Sequence, residues 1–319
     1  MKKKLLFLTH PIPALSYGYR IQQYFPYFEE KGYEVSHLTS RASISVLIRA
    51  LRGADLVYVQ RLLPSLLKQQ LLKMAAGRMV FDFDDAIMYG SRKESATRRR
   101  RFARMVRLAR AVFCGNQFLL DEARKYKAEQ VFYVPTVVET RDYPVKEHVG
   151  AVPFVVGWLG SAATLRYLAD IEGVLASRPP DTVYRVVADR VPETLRRRVE
   201  FERWSREREK DLLLGFDVGI MPVRDDIWSR GKCGLKLIQY AASGLPAISH
   251  PLGVAGEIIE EGESGFLRED TEGWREAVRR LRDDVQLRKA MGRRARAIAE
   301  ERYALQVWGP RVAAMVDAL

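Results

Sequence analysis

Short apolar runs, each followed by a segment with helical spacing, recur along the whole chain and constrain its fold most strongly. The first two runs are Lys4–Thr9 and Tyr33–Leu38, and the segment between them, Tyr19–Gly32, has its apolar residues on one helical face. This strand–helix–strand order is typical of parallel sheets with helices packed on their faces. The pattern therefore predicts an α/β protein. The loop Pro11–Gly18 follows the first strand at the sheet edge where such folds bind ligands.

The same pattern continues in two sets of runs, separated by the polar segment Glu139–Val152. A length of 319 residues also favours two domains. We therefore predict domains over residues 1–150 and 151–303, followed by a last helix in 304–319. The polar stretch Pro192–Lys210 is compatible with a helix anchored by Trp204. The remaining predicted strands are 55–60, 78–87, 111–115, 131–135, 154–161, 183–188, 217–222, 246–249 and 264–267, and the main predicted helices are 65–76, 97–112, 117–126, 164–175, 271–283, 285–302 and 305–318.

Composition narrows the class of protein. No run of about 18 apolar residues is present, so no membrane span is predicted. Cys114 and Cys233 are too far apart in sequence to indicate a disulfide framework or a metal-ligand cluster, which favours a reducing, cytoplasmic compartment. The apolar run Leu5–Leu8 is too short for a signal peptide and is interpreted as a buried strand.

Positive charge is concentrated in the first half of the chain. Residues 1–150 hold 26 Lys or Arg and 14 Asp or Glu, a net charge of +12, whereas the remaining residues have a net charge of +1. Such asymmetry indicates an anionic partner, for which nucleic acid, anionic lipid and a phosphorylated acceptor all qualify. The predicted helix Thr97–Val112 carries much of this charge, either as a solvated face or as a contact with an anionic membrane surface.

The segment Ser229–Pro246 combines a basic, glycine-containing loop with an apolar-faced helix that starts near Leu235. A helix N-terminus flanked by Lys232 and Lys236 favours anion binding. The alternative is a core helix with solvated lysines. Gly244 is expected in the left-handed conformation beyond the helix.

Three further side chains are candidates for a site in the first half. Asp84 and Asp85 follow a predicted strand, where they could cap a helix, bind a hydroxyl group or act as a base. Arg20, just after Gly18, is either an acceptor or donor-phosphate contact or an ordinary surface arginine.

Several of these segments together resemble the GT-B glycosyltransferases and, more narrowly, retaining glycosyltransferase family 4. The resemblance is carried in the second half by Gly157–Ser161, Asp217–Pro222, Ser229–Pro246, Pro251–Val254, Glu257–Ile259, Gly265–Leu267 and Met291–Ala295, and in the first half by Tyr19–Tyr24, Phe81–Ala86 and Val134–Thr136.

The resemblance implies two Rossmann-like domains with open parallel sheets that face each other across a cleft. The first would bind an acceptor, the second a nucleoside-diphosphate sugar, and the last helix would cross back to the first. It implies an enzyme that transfers a sugar with retention of configuration to a lipid-linked or polysaccharide acceptor. No cofactor or metal is expected, nor is nucleic acid, and the expected location is the cytoplasm or the inner membrane face, with anionic lipid as a further partner.

The resemblance also assigns roles to residues. Gly160, Ser161, Lys232, Lys236 and Arg230 would bind the donor diphosphate, and Leu235 and Gln239 the nucleoside. Asp85, Asp84 and Lys236 are the candidate catalytic residues, with Gly18 and Arg20 as acceptor or donor contacts.

The chain departs from the family pattern at several of these positions. The family's two glutamates are replaced by Gly231 and Gln239, and its arginine after the glycine turn by Ser161. A pair formed by Lys232 and Lys236 is predicted to replace the missing charge. Fixed cations at a departing diphosphate would stabilise the transition state.

Two other functions compete with this interpretation. A basic protein that binds nucleic acid or anionic lipid without chemistry would explain the charged first half, although the common aromatic-and-basic RNA-binding motifs are missing. A sugar-nucleotide epimerase of the same fold would bind similar donors.

Overall fold

The computed structural model describes residues 2–11, 15–90, 95–127, 130–150, 152–177 and 179–319. The strands within these ranges are β1 (Lys3–Thr9), β2 (Tyr33–Thr39), β3 (Leu56–Gln60), β4 (Met79–Phe83), β5 (Ala111–Cys114), β6 (Val131–Tyr133), β7 (Phe154–Leu159), β8 (Thr182–Ala188), β9 (Glu200–Arg203), β10 (Val218–Met221), β11 (Ala247–Ser249) and β12 (Gly265–Leu267). The α-helices are α1 (Leu15–Arg20), α2 (Phe25–Glu30), α3 (Ile44–Gly53), α4 (Leu66–Leu72), α5 (Ala96–Leu108), α6 (Gln117–Arg124), α7 (Glu172–Ala176), α8 (Glu193–Arg196), α9 (Glu209–Leu214), α10 (Ile227–Arg230), α11 (Leu235–Ala242), α12 (Ala255–Ile258), α13 (Thr271–Asp283), α14 (Val285–Arg302) and α15 (Leu305–Asp317). Short 3₁₀ helices cover Gln22–Tyr24, Lys73–Ala75, Thr140–Asp142 and Ala162–Ile171.

The chain divides into two compact units, each built on one parallel sheet. Unit 1 comprises Met1–Val137, Asp226–Cys233 and Leu305–Leu319, and unit 2 comprises Val138–Asp225 and Gly234–Ala304. Among the described residues, unit 1 has the six-stranded order β2-β1-β3-β4-β5-β6 and unit 2 the six-stranded order β12-β11-β10-β7-β8-β9. The predicted α/β class with two open parallel sheets is therefore confirmed.

Both faces of the unit 1 sheet are buried at its central strands β3, β4 and β5, which explains why these strands are almost continuously apolar. Along β1, Leu6 and Leu8 pack into the core beneath α3 and α4, whereas Leu5 and Phe7 pack into the core that includes α15. Alternate side chains of a strand point to opposite faces, so a single run supplies both cores.

A buried ion pair connects three elements of unit 1. Arg20, in α1, donates through Nε to Asp82 of β4 at 3.2 Å and also pairs with it through Nη2. Its Nη1 donates to the carbonyl oxygens of Val134 and Pro135, at 2.7 and 2.9 Å. Tyr58 of β3 donates a further hydrogen bond to Asp82 at 2.9 Å. Burial raises the pKa of Asp82, and the Arg20 guanidinium opposes that shift.

Most predicted elements are found within a few residues of their expected bounds, and the two helices predicted over 271–283 and 285–302 are confirmed. Helix α3 was not predicted; its N-cap is Ser43, whose side chain accepts a hydrogen bond from the Val46 N–H. The prediction of a loop through Gly18 was wrong in part, because α1 begins at Leu15. Residues 12–14 of that loop lie outside the described residues.

The prediction that Pro192–Lys210 is compatible with one helix was wrong. This stretch contains α8, strand β9 and the start of α9. Strand β9 pairs with β8 at the edge of its sheet, and Arg185 of β8 forms an ion pair with Glu200 of β9 at 3.0 Å. Charged side chains are common on edge strands because they prevent pairing with other chains, and this composition hid the strand.

The predicted helix over 164–175 is also differently built. The structure has a 3₁₀ helix over Ala162–Ile171, followed by α7. No helix in the described part of the chain is long and apolar enough to cross a membrane.

Replacing Arg20 by leucine is expected to destabilise unit 1 strongly. The variant Arg20→Leu leaves the Asp82 carboxylate buried without its cation, which typically costs about 3–5 kcal/mol in the free energy of unfolding. Chemical denaturation followed by circular dichroism measures the loss. The exposed Arg49→Leu is the matched control and should unfold like the wild type; equal stability of Arg20→Leu and Arg49→Leu would contradict a structural role for the pair.

Candidate functional site

In unit 2, Lys236 lies over the glycine turn that ends β7. Its Nζ is 3.9 Å from the centroid of the Trp158 ring, a favourable position for a cation, and 3.5 Å from Oγ1 of Thr164. A Cβ atom at Gly160 would lie 2.5 Å from Lys236 Nζ and 2.7 Å from the Trp158 ring. Only glycine at position 160 leaves room for this ammonium group. Two residues predicted to bind one diphosphate, Gly160 and Lys236, are therefore neighbours.

The start of α11 supplies backbone donors in the same unit, whereas the N–H groups around Ser161 already have partners within the protein. Ser161 is the N-cap of the 3₁₀ helix, and the adjacent Ala162 N–H donates to Asp189 at 2.7 Å. Helix α11 begins at Leu235 after Gly234, which has a left-handed φ of 66° and no side chain to cap the helix. The N-terminal end of α11 thus presents backbone N–H groups and the Lys236 ammonium, an arrangement suited to an anion. Gly244 follows the helix with the expected left-handed φ of 67°.

Gln239 points into a buried hydrogen-bond network of unit 2. Its Nε2 donates to Glu209 at 2.6 Å and to the Tyr143 hydroxyl at 3.3 Å. The other oxygen of Glu209 accepts from the Trp204 indole N–H at 2.8 Å. These contacts explain why position 239 holds an amide: a glutamate would face the Glu209 carboxylate. The nucleoside contacts predicted for Gln239 and for the half-buried Leu235 stay predictions.

In unit 1, Asp84 and Asp85 follow β4 and face an arginine that the sequence analysis missed. Arg61, directly after β3, forms ion pairs with Asp84 at 3.3 Å and with Asp85. Its backbone has a left-handed φ of 56°, which is unfavourable for a residue with a side chain. Hydrogen bonds hold this conformation, since the Arg61 N–H donates to the Asp82 carbonyl at 2.8 Å. Left-handed non-glycine residues often occur at functional sites.

The Asp85 carboxyl group has an unusual proton affinity. Burial raises its pKa from 3.8 to about 6, and the charge of Asp84 adds to that shift, while Arg61 and Lys232 oppose it. An acid with a pKa near neutrality can exchange protons under physiological conditions. Asp85 is therefore suited to proton transfer or to hydrogen bonding with a sugar hydroxyl.

The basic loop before α11 belongs to unit 1, where it packs beside the two aspartates. Asn116 Nδ2 donates to the carbonyl oxygens of Arg230 and Lys232, both at 3.0 Å. The Cys233 thiol donates to the Asp84 carbonyl oxygen at 3.2 Å. The loop thereby brings the half-buried Lys232 side chain close enough to influence Asp85, while Arg230 is exposed.

Gly231 explains one departure from the family pattern. A Cβ atom at this position would lie 2.4 Å from the Ala86 Cβ and 2.7 Å from the Ala86 backbone nitrogen. A glutamate cannot occupy such a contact. The loop carries glycine here because it approaches the backbone next to Asp85, and no acidic side chain can extend from this position.

The predicted site residues are thus divided between the units. Lys236, Gly160, Ser161, Leu235 and Gln239 belong to unit 2, whereas Lys232, Arg230 and the two aspartates belong to unit 1. Arg20 is fully buried in its ion pair rather than exposed at the surface, and Gly18 is half-buried within α1. Their predicted ligand contacts stay predictions. Arg61 has no motif around it; its position directly after a strand was the only available signal.

Comparison with known proteins finds a family that resembles the second half of the chain. Residues 154–284 match the sequence model of the family described as "Glycosyl transferases group 1". This part of the chain is therefore similar to group 1 glycosyltransferases. The matched range contains the Gly160 turn, Lys236 and α11. Among curated proteins, none matches the chain by sequence.

Solved structures support the fold over most or all of the chain. HepE from Anabaena, in complex with UDP and glucose, is 17% identical with a TM-score of 0.78, over 99% of this chain and 100% of that chain. Sucrose-phosphate synthase from Thermosynechococcus elongatus is 12% identical with a TM-score of 0.73, over 99% of both chains. The pneumococcal O-GlcNAc transferase GtfA, in complex with UDP and GlcNAc, is 14% identical with a TM-score of 0.64, over 86% of this chain and 59% of that chain. The predicted GT-B fold is confirmed.

The raised pKa of Asp85 predicts a specific pH dependence of stability. The folded protein keeps a proton on Asp85 up to a pH of about 6, whereas the unfolded chain, with the ordinary aspartate pKa of 3.8, has already lost it. The free energy of unfolding should therefore fall as the pH rises from 3.8 to about 6. Over this pH range, the free energy of unfolding of the wild type should fall by about 3 kcal/mol relative to that of Asp85→Asn, which corresponds to a difference of two pKa units. Urea denaturation at several pH values measures the difference. The exposed Asp121→Asn should follow the wild-type curve, and parallel curves for Asp85→Asn and wild type would contradict the assignment.

Proposed function

We propose that this enzyme transfers a sugar from a nucleoside-diphosphate sugar, with retention of configuration, to a lipid-linked or polysaccharide acceptor at the cytoplasmic face of the membrane. The observation that carries the donor part is the position of Lys236 over the Gly160 turn, at the N-terminal end of α11. Departure of the diphosphate concentrates negative charge, and a fixed ammonium group together with helix N–H groups stabilises that charge. We expect the reaction to need no metal or cofactor.

The aspartates of unit 1 are proposed to bind hydroxyl groups of the donor sugar or of the acceptor. In this role Arg61 orients both carboxylates through its two ion pairs, and Lys232 adds positive charge beside Asp85. A carboxyl group with a pKa of about 6 can accept a hydroxyl proton or donate its own near neutral pH.

The basic character of the first half of the chain supports an acceptor at an anionic surface. Residues 1–150 have a net charge of +12, and α5 alone carries six arginines. Basic residues near an anionic bilayer contribute about 1 kcal/mol each to binding. On this basis we propose a peripheral location on the inner face of the membrane.

The donor class can be tested without knowing the acceptor. Thermal unfolding is followed with UDP, GDP, ADP and CDP, and we expect one of them to stabilise the protein, with UDP the first candidate because UDP is bound in the similar structures. A ligand at 100 times its Kd adds about 2.7 kcal/mol to the free energy of unfolding. No response to any diphosphate, together with salt-sensitive binding of DNA or liposomes, would favour a non-catalytic binding protein instead.

The role of Lys236 has its own test. Lys236→Ala is expected to raise the Kd of the selected diphosphate by about 10- to 100-fold, the usual effect of losing a hydrogen bond to a charged group. Isothermal titration calorimetry measures the Kd, and Lys289→Ala, in α14 of the same unit, is the matched control. Unchanged affinity and turnover in Lys236→Ala would remove this residue from the donor site.

A further inference from the structure

Unit 1 contains a cavity that neither the donor site nor the aspartate cluster uses. It has a volume of about 350 Å³ and lies at the carboxyl ends of β1, β2 and β3, beneath α3 and α4. This volume falls within the range of small-molecule binding sites, about 300–1,000 Å³. Its position at the carboxyl edge of a parallel sheet is where open α/β folds bind ligands.

The wall of this cavity is aliphatic. It is formed by Leu8 and Val59 from the sheet, Leu47 from α3, and Leu62 and Leu72 from the β3–α4 segment. Polar groups in the lining come from His10, Thr39, Ser40, Ser65 and Lys68. A sugar or a nucleobase would place many of its polar groups against the aliphatic wall, which is unfavourable. A hydrocarbon chain would gain from the same walls.

Exposed aliphatic side chains flank the cavity at the beginnings of the two helices. Ile44 and Val46, next to the cavity-lining Ala42 and Leu47, are 43% and 46% exposed. Leu66 and Leu67, next to Ser65, are 51% and 57% exposed. These four belong to the large apolar side chains that are exposed in the described part of the chain. Because α3 packs against α4, the two pairs lie on neighbouring helices. We call them the aliphatic collar. Apolar residues in such a group indicate a surface that meets lipid or a partner.

The charge around the collar is entirely positive in sequence. Residues 40–54 and 61–78, which contain α3 and α4, hold seven Lys or Arg and no Asp or Glu. Lys68, at the cavity rim, donates to the carbonyl oxygens of Ser40 and Ala42 at 2.8 and 3.2 Å. A neighbouring groove is lined by Lys73, Arg104 and Arg107. This charge attracts the phosphate of a lipid and adds nothing to the binding of a neutral chain, so it favours an aliphatic chain that carries a phosphate head group.

We infer that the cavity binds the aliphatic chain of a phosphate-bearing lipid, namely the lipid-linked acceptor of the proposed function. The chain would enter between α3 and α4, the collar would contact the membrane from which the lipid comes, and the basic residues would face its phosphate. The identity of the lipid as acceptor rests on the proposed function, whereas binding of the chain does not.

The test measures binding of linear alkyl phosphates to the full-length protein by titration calorimetry, at concentrations below micelle formation. With six, eight and ten carbons, affinity should rise by about fourfold for each methylene that the cavity buries. Inorganic phosphate should not displace the probe. Equal affinity across the series, or displacement by inorganic phosphate, would overturn the inference.

Matched variants locate the site. Ala42→Trp and Ser65→Trp place an indole at opposite sides of the cavity mouth, at half-buried and exposed positions where folding should tolerate it. Each should weaken decyl phosphate binding at least tenfold. Ala314→Trp, on the exposed face of α15, whose buried residues pack in the other core, should bind like the wild type. Equal binding by all three variants would place the chain elsewhere and overturn the inference.

Two further arms separate the possible failures. Vesicles made of anionic phospholipid alone are added to the protein with bound decyl phosphate, and they should not displace it. Full displacement would mean that the cavity binds ordinary bilayer lipid and would overturn the acceptor assignment. Stabilisation by UDP is measured on every variant. If UDP stabilises the protein and alkyl phosphates do not bind, the cavity assignment fails alone; if alkyl phosphates bind and no nucleotide does, the proposed donor fails alone.

Discussion

The buried ion pair between Arg20 and Asp82 is the interaction on which the order of unit 1 depends. It joins α1 to β4 and to the backbone that follows β6, in a region without solvent to replace either partner. Such a pair is stable only in one geometry, because displacement of either group leaves a buried charge. The carboxyl end of β4 is therefore held firmly, and Asp84 and Asp85 extend from that end toward Arg61. The structural arginine thus helps to determine the position of the two carboxylates that are proposed to bind hydroxyl groups, although it is itself fully buried.

In unit 2, a lysine is held by an aromatic ring. This residue, Lys236, packs closely over Gly160 and the Trp158 ring. The face of an aromatic ring attracts an ammonium group and helps to fix its position. In the neighbouring network, Glu209 accepts hydrogen bonds from Gln239 and from the Trp204 indole N–H. The hydrogen bond from Gln239 to Glu209 anchors α11, the helix that carries Lys236, and it requires a donor at position 239, which an amide provides.

How much the sequence reveals depends on whether a feature is local. The parallel sheets, α11 and the Gly160 turn were predictable because apolar periodicity and glycine position are local signals. Arg61 was not, since its importance comes from contacts with residues 23 and 24 positions later in the chain. The same holds for Arg20, which the sequence indicated only as a ligand contact or an ordinary surface arginine, while its partner lies 62 positions away. Gly231 likewise has meaning only once Ala86 is known to lie against it.

The β3–α4 loop links the two features of unit 1 that bear on the acceptor. Arg61 at its start binds both aspartates, and the following Leu62 and Leu63 line the aliphatic cavity. The strained backbone of Arg61 directs its guanidinium to the carboxylates while the next residues turn toward the cavity. One short loop therefore connects the carboxylates proposed to bind hydroxyl groups with the cavity proposed to bind an aliphatic chain. An amphiphilic acceptor has both parts in that order, which is the physical reason for linking the cavity to the transfer reaction rather than to unit 1 stability.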